Sequence, residues 1–341
     1  MSGLATGFAR MNPRSSPPLA HLMRHVATAV LALAACLPAQ AWASQQLADG
    51  RWPELPRTED AIAAGVDPGV HAGDLRATAA AVLADLASGS TVKAGPRKDA
   101  LKLAVVWLRD QIDADTGRFR AGRLDDHALG AYALAAMYAA SLYRTLKPYA
   151  AKTTADVWRR IEAPAPGTTV NPATYALALL ASEASGGLDA GARARAVAWF
   201  DARPDTDART SLRRAAAELM CRLVATPETA VADTTHLVDR FLTLPPGPRG
   251  EPPLDDLTLF LATHALARLG EPAWSVWSKK LTPLAETSVD WGATPIGETG
   301  LRLITLSLYY RPGSALPAAR QLPGAPPPPT VAPPADTGEK K

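Results

Sequence analysis

The sequence predicts an all-α protein built from about six helix pairs. Apolar residues recur at helical spacing across residues 58–310, and alanine, the best helix former, is abundant among them. No comparable stretch shows the strict polar–apolar alternation of a half-buried strand. Helix start signals recur roughly every 35–50 residues, which is the length of helical repeat units.

The predicted helices fall into two alternating sets. Members of the first set mostly begin at an Asp or Asn that suits a helix N-cap, and they comprise 74–88, 125–143, 171–186, 207–225, 255–269 and 298–310. The second set lies between them and comprises 58–64, 97–112, 146–161, 190–202, 227–244 and 272–287. Each helix has one apolar face, so a single pair cannot bury its apolar surface alone.

Turn residues separate these helices. Asn171 suits an N-cap, Pro172 suits the first helical position, and Gly186 suits the end of the same helix. Segments 164–167 and 245–248 are rich in Pro and Gly and break the chain.

The helix pairs alone allow either an open solenoid or a closed ring. Closure is favoured because neither terminal pair carries the polar capping pattern that an open array needs.

Two blocks of the chain resemble the repeat of the prenyltransferase and squalene-cyclase superfamily. The first combines a tryptophan–leucine pair, a glutamine, acidic residues, a glycine and an aromatic residue, at Trp107, Leu108, Asp110, Gln111, Asp113, Asp115, Gly117 and Phe119. The second lies near the end of the chain and includes Leu259, Gly270, Trp274, Trp277, Leu281, Tyr309, Tyr310 and Arg311. The resemblance implies an α/α toroid, with inner helices around a cavity and outer helices around them.

The chain departs from the cyclases of that family at the residues that perform chemistry. Those cyclases use an Asp-x-Asp-Asp motif, whereas neither Asp125-Asp126 nor Asp255-Asp256 has an aspartate two residues before it. The predicted inner helices also offer few aromatic faces to stabilise a carbocation. The tryptophans at 107, 158, 199, 274 and 277 fall on predicted outer helices, where we expect them to wedge neighbouring repeats together.

Five residues form the candidate binding site at the predicted cavity mouth: Asp125, Asp126, His127, Asp255 and Asp256. The favoured interpretation is structural, because aspartates at helix starts accept hydrogen bonds from free backbone N–H groups. His127 is then expected at the surface. The alternative is a set of carboxylates that holds a cation, a basic group or a metal. No catalytic residue is assigned.

Glu218, Cys221 and His264 are weak candidates for zinc ligands, because Glu218 and Cys221 share a helix face and zinc accepts these ligand types. The structural alternatives are favoured: a core histidine at 264, and an ion pair of Arg214 with Glu218 four residues later. Cys221 has no identifiable base partner. We therefore predict no metal and no cofactor.

The N-terminal residues predict export. A basic start at Arg24, an apolar run at 26–35 and a small-x-small site ending at Ala43 form a secretory signal over residues 1–43, with residues 1–22 as an upstream extension. The rival interpretation is a lipobox in which Cys36 is lipidated and anchors the protein to a membrane. Either way we expect a periplasmic or extracellular protein.

The remaining boundaries are an extended lead-in at 44–57, the toroid domain at 58–311 and a Pro-rich disordered tail at 312–341. The formal charge of +3 and the mixed distribution of charges give no nucleic-acid footprint. We expect a non-catalytic scaffold that binds a ligand or an envelope protein. The alternative is an enzyme of terpenoid-cyclase, prenyltransferase or glycosidase type with an acid pair at the mouth.

Overall fold

The computed structural model describes residues 43–167, 169–203, 208–227, 234–244, 254–286 and 294–310. These residues form twelve α-helices, a short 3₁₀ helix and no strand, apart from an isolated bridge between Ile112 and Phe119. The all-α prediction is therefore confirmed. Residues 1–42 of the predicted signal sequence, with Cys36, and the predicted tail lie outside the described residues. The fold below is that of the compact unit beginning at Gln45.

The even-numbered helices correspond to the first predicted set. They are α2 (Asp74–Ala87), α4 (Leu124–Ser141), α6 (Pro172–Ser185), α8 (Ala208–Ala225), α10 (Asp256–Leu269) and α12 (Ile296–Tyr310). The odd-numbered helices correspond to the second set. They are α1 (Glu59–Ala63), α3 (Lys98–Asp110), α5 (Lys147–Glu162), α7 (Ala190–Asp201), α9 (Thr235–Leu242) and α11 (Ala273–Glu286), with the 3₁₀ helix Arg144–Leu146 before α5.

The even-numbered helices pack against one another in order. Helix α2 contacts α4, α4 contacts α6, and so on to α12, which in turn packs against α2. The odd-numbered helices other than α1 pack onto this series, for example α3 onto α2 and α11 onto α10, whereas α1 buries no residue. Small alanine side chains let the even-numbered helices approach closely: a Cβ added to Gly300 of α12 would lie 2.7 Å from the Cβ of Ala80 in α2.

Burial distinguishes the two sets. Every residue in the runs 125–137 of α4, 173–182 of α6 and 256–266 of α10 is buried. A helix that is buried on all sides lies inside the molecule. By contrast, α3 buries one stripe that includes Leu101, Leu108 and Trp107, while Leu103 stays exposed. The core therefore surrounds the even-numbered helices.

The predicted signals at both ends of α6 are confirmed in the structure, whereas Asp74 does not cap α2, whose N-cap is Gly73. Asn171 caps α6 by accepting a hydrogen bond from the Ala173 N–H at 3.1 Å, and Gly186 ends the helix with a left-handed φ of 75°. Tryptophans fix odd-numbered helices to even-numbered ones. The indole N–H of Trp158 donates to Ser182 at 2.9 Å, and that of Trp277 donates to Thr263 at 3.0 Å.

The lead-in is tied into the fold. Trp52 is fully buried, and its backbone N–H donates to the Thr78 hydroxyl of α2 at 3.0 Å. Arg51 is also buried and donates to Asp74 at 3.1 Å. The carbonyl of Glu54 accepts from the Ile296 N–H at the start of α12 at 3.0 Å. The lead-in therefore contacts both the first and the last of the even-numbered helices.

Candidate functional site

The predicted aspartates lie where two buried helices begin. Asp125 and Asp126 are in the first turn of α4, Asp255 is the N-cap of α10, and Asp256 is the first residue of α10. Each carboxylate has an arginine partner from a nearby segment, and together they form what we call the Asp–Arg cluster: Asp125 with Arg123, Asp126 with Arg76, Asp255 with Arg213, and Asp256 with Arg302.

At the start of α4 the two aspartates have different partners. Asp126 accepts a hydrogen bond from the Arg123 backbone N–H at 2.9 Å, which completes a capping box. Its other oxygen lies 3.5 Å from the Arg76 guanidinium of α2. Asp125 does not cap the helix and instead accepts two hydrogen bonds from the Arg123 side chain, at 2.7 and 3.2 Å.

The start of α10 repeats this division of roles. Asp255 caps the helix by accepting from the Thr258 N–H at 3.1 Å, and it pairs with Arg213 of α8 at 3.0 Å. Asp256 accepts two bonds from Arg302 of α12, at 3.1 and 3.2 Å. Capping is therefore confirmed for Asp126 and Asp255, whereas Asp125 and Asp256 are held by arginines that the sequence analysis did not identify.

Burial and charge divide the four pKa values into two pairs. Burial raises the pKa of Asp126 and of Asp256, and the neighbouring arginines only partly oppose it. Burial also acts upward on Asp125 and Asp255, but Arg123 outweighs it at Asp125, and Thr258 with Arg213 outweighs it at Asp255, so both pKa values are lowered. The charge of Arg76 acts on the pKa of Asp125, Asp126 and Asp256, so these three carboxylates share one electrostatic environment.

The surface position predicted for His127 is wrong. Its side chain is buried at 2% exposure and turns toward α5. Nδ1 lies 2.5 Å from the Arg160 guanidinium, and Nε2 lies 3.0 Å from the Ala121 carbonyl, so Nδ1 accepts and Nε2–H donates. Burial and the Arg160 charge lower the pKa of His127 to about 4, which leaves it neutral and bound away from the aspartates.

The three weak zinc candidates are engaged elsewhere. Glu218 pairs most closely with Arg222, at 2.8 Å, while its predicted partner Arg214 lies 4.0 Å away. Cys221 is fully buried, and burial raises the pKa of its thiol. His264 is a core residue as predicted. Within the described ranges no three His, Cys, Asp or Glu side chains converge as a metal site.

A second polar group lies inside the helical core and was missed by the sequence analysis. Arg268 of α10 donates to both carboxylate oxygens of Glu183 in α6, at 2.5 and 3.2 Å, and its Nε lies 3.5 Å from Nε2 of His264. The charges of Arg268 and Glu183 also act on the buried hydroxyl of Tyr132 in α4, whose pKa burial raises. We call these four residues the interior polar group.

No family model, no curated protein and no solved structure matches this chain. Among the described residues, no helix combines the length and apolar character needed to cross a bilayer.

Proposed function

We propose that this chain is an exported α/α toroid that serves as a non-catalytic binding scaffold at the cell envelope. The even-numbered helices would form the inner ring and the odd-numbered helices the outer ring. The packing of α12 against α2 supports closure, because it joins the last inner helix to the first. The resemblance of residues 107–119 and 259–311 to the prenyltransferase and squalene-cyclase repeat supports the same architecture.

One observation carries the functional part of the proposal: every candidate carboxylate at the starts of α4 and α10 is paired with an arginine. At Asp125 and Asp255 the pKa is lowered, which favours the charged form and makes these two carboxylates poor proton donors. A cation site is also disfavoured, because the arginines already neutralise the aspartates. The Asp–Arg cluster instead binds helices to one another, since three of its pairs join different even-numbered helices.

The burial of the inner helices supports a scaffold as well. A chamber large enough for a polyprenyl chain would leave the side chains that face it accessible to solvent. The uninterrupted buried runs of α4, α6 and α10 instead describe a filled interior around those helices. A polyprenyl chain would therefore not fit among these helices, and a protein partner would bind on the outside of the fold.

The outer rim of the Asp–Arg cluster is the surface that we assign to a partner. The side chains of Arg123, Arg213 and Asp255 are 79%, 40% and 43% exposed. Alternating charges of this kind confer specificity and orientation on a protein partner rather than affinity for a single ion. The partner would be an envelope protein whose surface charges are opposite in sign to those of the rim.

The test is cross-linking in intact cells with the full chain and a charge-reversal variant, Arg123→Glu with Arg213→Glu. The proposal expects a discrete cross-linked species with the unmodified chain and its loss with the variant. Lys102→Glu on α3 is the matched control, because its side chain is 50% exposed and belongs to a separate surface pair. A cross-link that survives the double reversal would contradict the assignment of this surface.

A second candidate function is an enzyme of terpenoid-cyclase or glycosidase type that uses the cluster as an acid pair. The observation in its favour is the separation of pKa values, raised at Asp126 and Asp256 and lowered at Asp125 and Asp255, since such separation often marks acid and base roles. Turnover of a polyprenyl or glycoside substrate that Asp126→Asn abolishes, with folding intact, would favour this candidate over the scaffold.

A further inference from the structure

The interior polar group extends from the molecular surface into the core. Tyr132 and His264 are completely buried, and Arg268 is 5% exposed. The carboxylate-bearing side chain of Glu183 is 27% exposed, so it is the member that reaches solvent. The group brings together α4, α6 and α10, which are otherwise buried through alanine and leucine side chains.

The group contains more hydrogen-bond donors than acceptors. Because Nε of Arg268 faces Nε2 of His264, that nitrogen is the acceptor and the neutral ring carries its proton on Nδ1. Nδ1 of His264 and the hydroxyl of Tyr132 are both buried without a hydrogen-bond partner among the described residues. Arg268 adds five N–H donors, and the carboxylate of Glu183 accepts from two of its nitrogens.

The excess of donors indicates a ligand that supplies hydrogen-bond acceptors. A guanidinium fork together with an unpaired neutral donor, the Tyr132 hydroxyl, suits an oxyanion, and a planar carboxylate matches the fork geometry. Buried polar groups in proteins almost always have partners, so two such donors next to a buried guanidinium call for an acceptor. Glu183 supplies one carboxylate to the guanidinium but leaves Tyr132 and His264 unpaired.

We propose that Arg268, His264 and Tyr132 form a binding site for a small carboxylate. In the free protein Glu183 pairs with the Arg268 guanidinium, and the ligand displaces it. The incoming carboxylate takes the two Arg268 nitrogens that now bind Glu183, the Tyr132 hydroxyl donates to it, and His264 positions the guanidinium by accepting from Arg268 Nε at 3.5 Å. Glu183, already partly in solvent, turns outward. The site is separate from the rim surface, so it does not rest on the proposed scaffold function.

The test is chemical rescue of Glu183→Ala in the full chain. Loss of Glu183 leaves Arg268 buried without a counter-charge, so the variant is expected to melt at a lower temperature than the unmodified chain. Added acetate or formate is expected to restore the melting temperature with a saturable dependence on concentration, beyond the effect of chloride at equal ionic strength. Adding Tyr132→Phe to the same background is expected to weaken acetate binding several-fold.

Two controls keep the proposal falsifiable. Glu162→Ala removes a carboxylate from an exposed pair with Arg195, and its melting temperature should not depend on acetate. Isotope-labelled acetate, followed by NMR, should bind the unmodified chain more weakly than it binds Glu183→Gln, which keeps the shape of the side chain. Equal binding by both chains, acetate behaving like chloride, or a response to phosphate alone would each overturn the carboxylate assignment.

Discussion

Arg76 in the first turn of α2 lies 3.5 Å from Asp126 in the first turn of α4. This ion pair joins two neighbouring even-numbered helices at their starts, and the same aspartate closes the capping box of α4. Asp126 therefore stabilises both its own helix and the contact between helices. The positive charge of Arg76 also favours the ionised forms of Asp125 and Asp256.

Asp126→Ala is expected to lower the free energy of unfolding by about 1–3 kcal/mol, because it removes a helix cap and leaves Arg76 without its carboxylate. Urea denaturation followed by circular dichroism measures the change. Asp99→Asn, in an exposed pair with Lys102 on α3, is the matched control and should leave the midpoint unchanged. A midpoint that is equally unaffected in Asp126→Ala would show that the capping box is not needed for stability.

Gly130→Ala is expected to destabilise the protein by about 1–3 kcal/mol, although alanine normally stabilises a helix. An added Cβ would lie 2.9 Å from the ring of Phe119, which is buried between the loop and α4. Differential scanning calorimetry measures the effect. Combining it with Phe119→Leu should recover part of the loss, because the smaller side chain makes room.

Gly191→Ala in α7 is the matched control for this overpacking. There the nearest atom to an added Cβ is the exposed end of Arg195, which is free to move, so the substitution should be neutral or stabilising by up to about 1 kcal/mol. If Gly130→Ala is stabilising to the same degree, Phe119 does not pack against α4 as described.

Stability is expected to fall as the pH decreases from about 6.5 to about 4, owing to His127. Its pKa is about 4 in the folded protein and 6.5 without perturbation, so the unfolded chain binds more protons in this window and acid favours unfolding. Urea unfolding at a series of pH values measures the slope. His127→Gln removes this titration and should flatten the dependence.

Asp85 acts in the opposite direction and must be separated from His127. Burial raises the pKa of Asp85 to about 6, against 3.8 without perturbation, despite Arg97 at 3.3 Å. The folded chain therefore binds the extra proton, and this contribution to stability is lost as the pH rises through 6. Asp85→Asn should steepen the acid loss, and a shallower profile in that variant would contradict the assignment.

The helical content and the helix positions were largely predictable because helices depend on local signals. The apolar spacing of a helix and its cap residues, such as Asn171 and Gly186, belong to the same short segment of sequence as the helix itself. The site was less predictable because its partners are distant in sequence. Arg160 follows His127 by 33 residues, and Arg268 follows Glu183 by 85 residues. No periodicity within one helix reveals such pairs, so burial of His127 and the interior polar group were both missed.

Signal processing gives a further prediction, on the residues around the predicted cleavage site. We predict cleavage after Ala43, which would remove Cys36, so the mature protein should begin at Ser44 and incorporate no palmitate analogue. Mass spectrometry of the secreted or periplasmic form measures both. If the analogue is incorporated and Cys36→Ser abolishes it, the lipobox interpretation replaces simple cleavage.

The most direct test of the closed ring is an engineered disulfide between α2 and α12, from Arg76→Cys with Gly297→Cys. A Cβ added at Gly297 would lie 3.0 Å from Cγ of Arg76, the position that a cysteine sulfur would take, so the two thiols fall within bonding reach. A closed ring predicts an intrachain disulfide in the oxidised monomer, detected as a linked peptide by mass spectrometry, and none in the control pair Arg76→Cys with Gly191→Cys. Free thiols in a folded, oxidised Arg76→Cys, Gly297→Cys monomer would show that α12 does not meet α2 and would contradict the toroid.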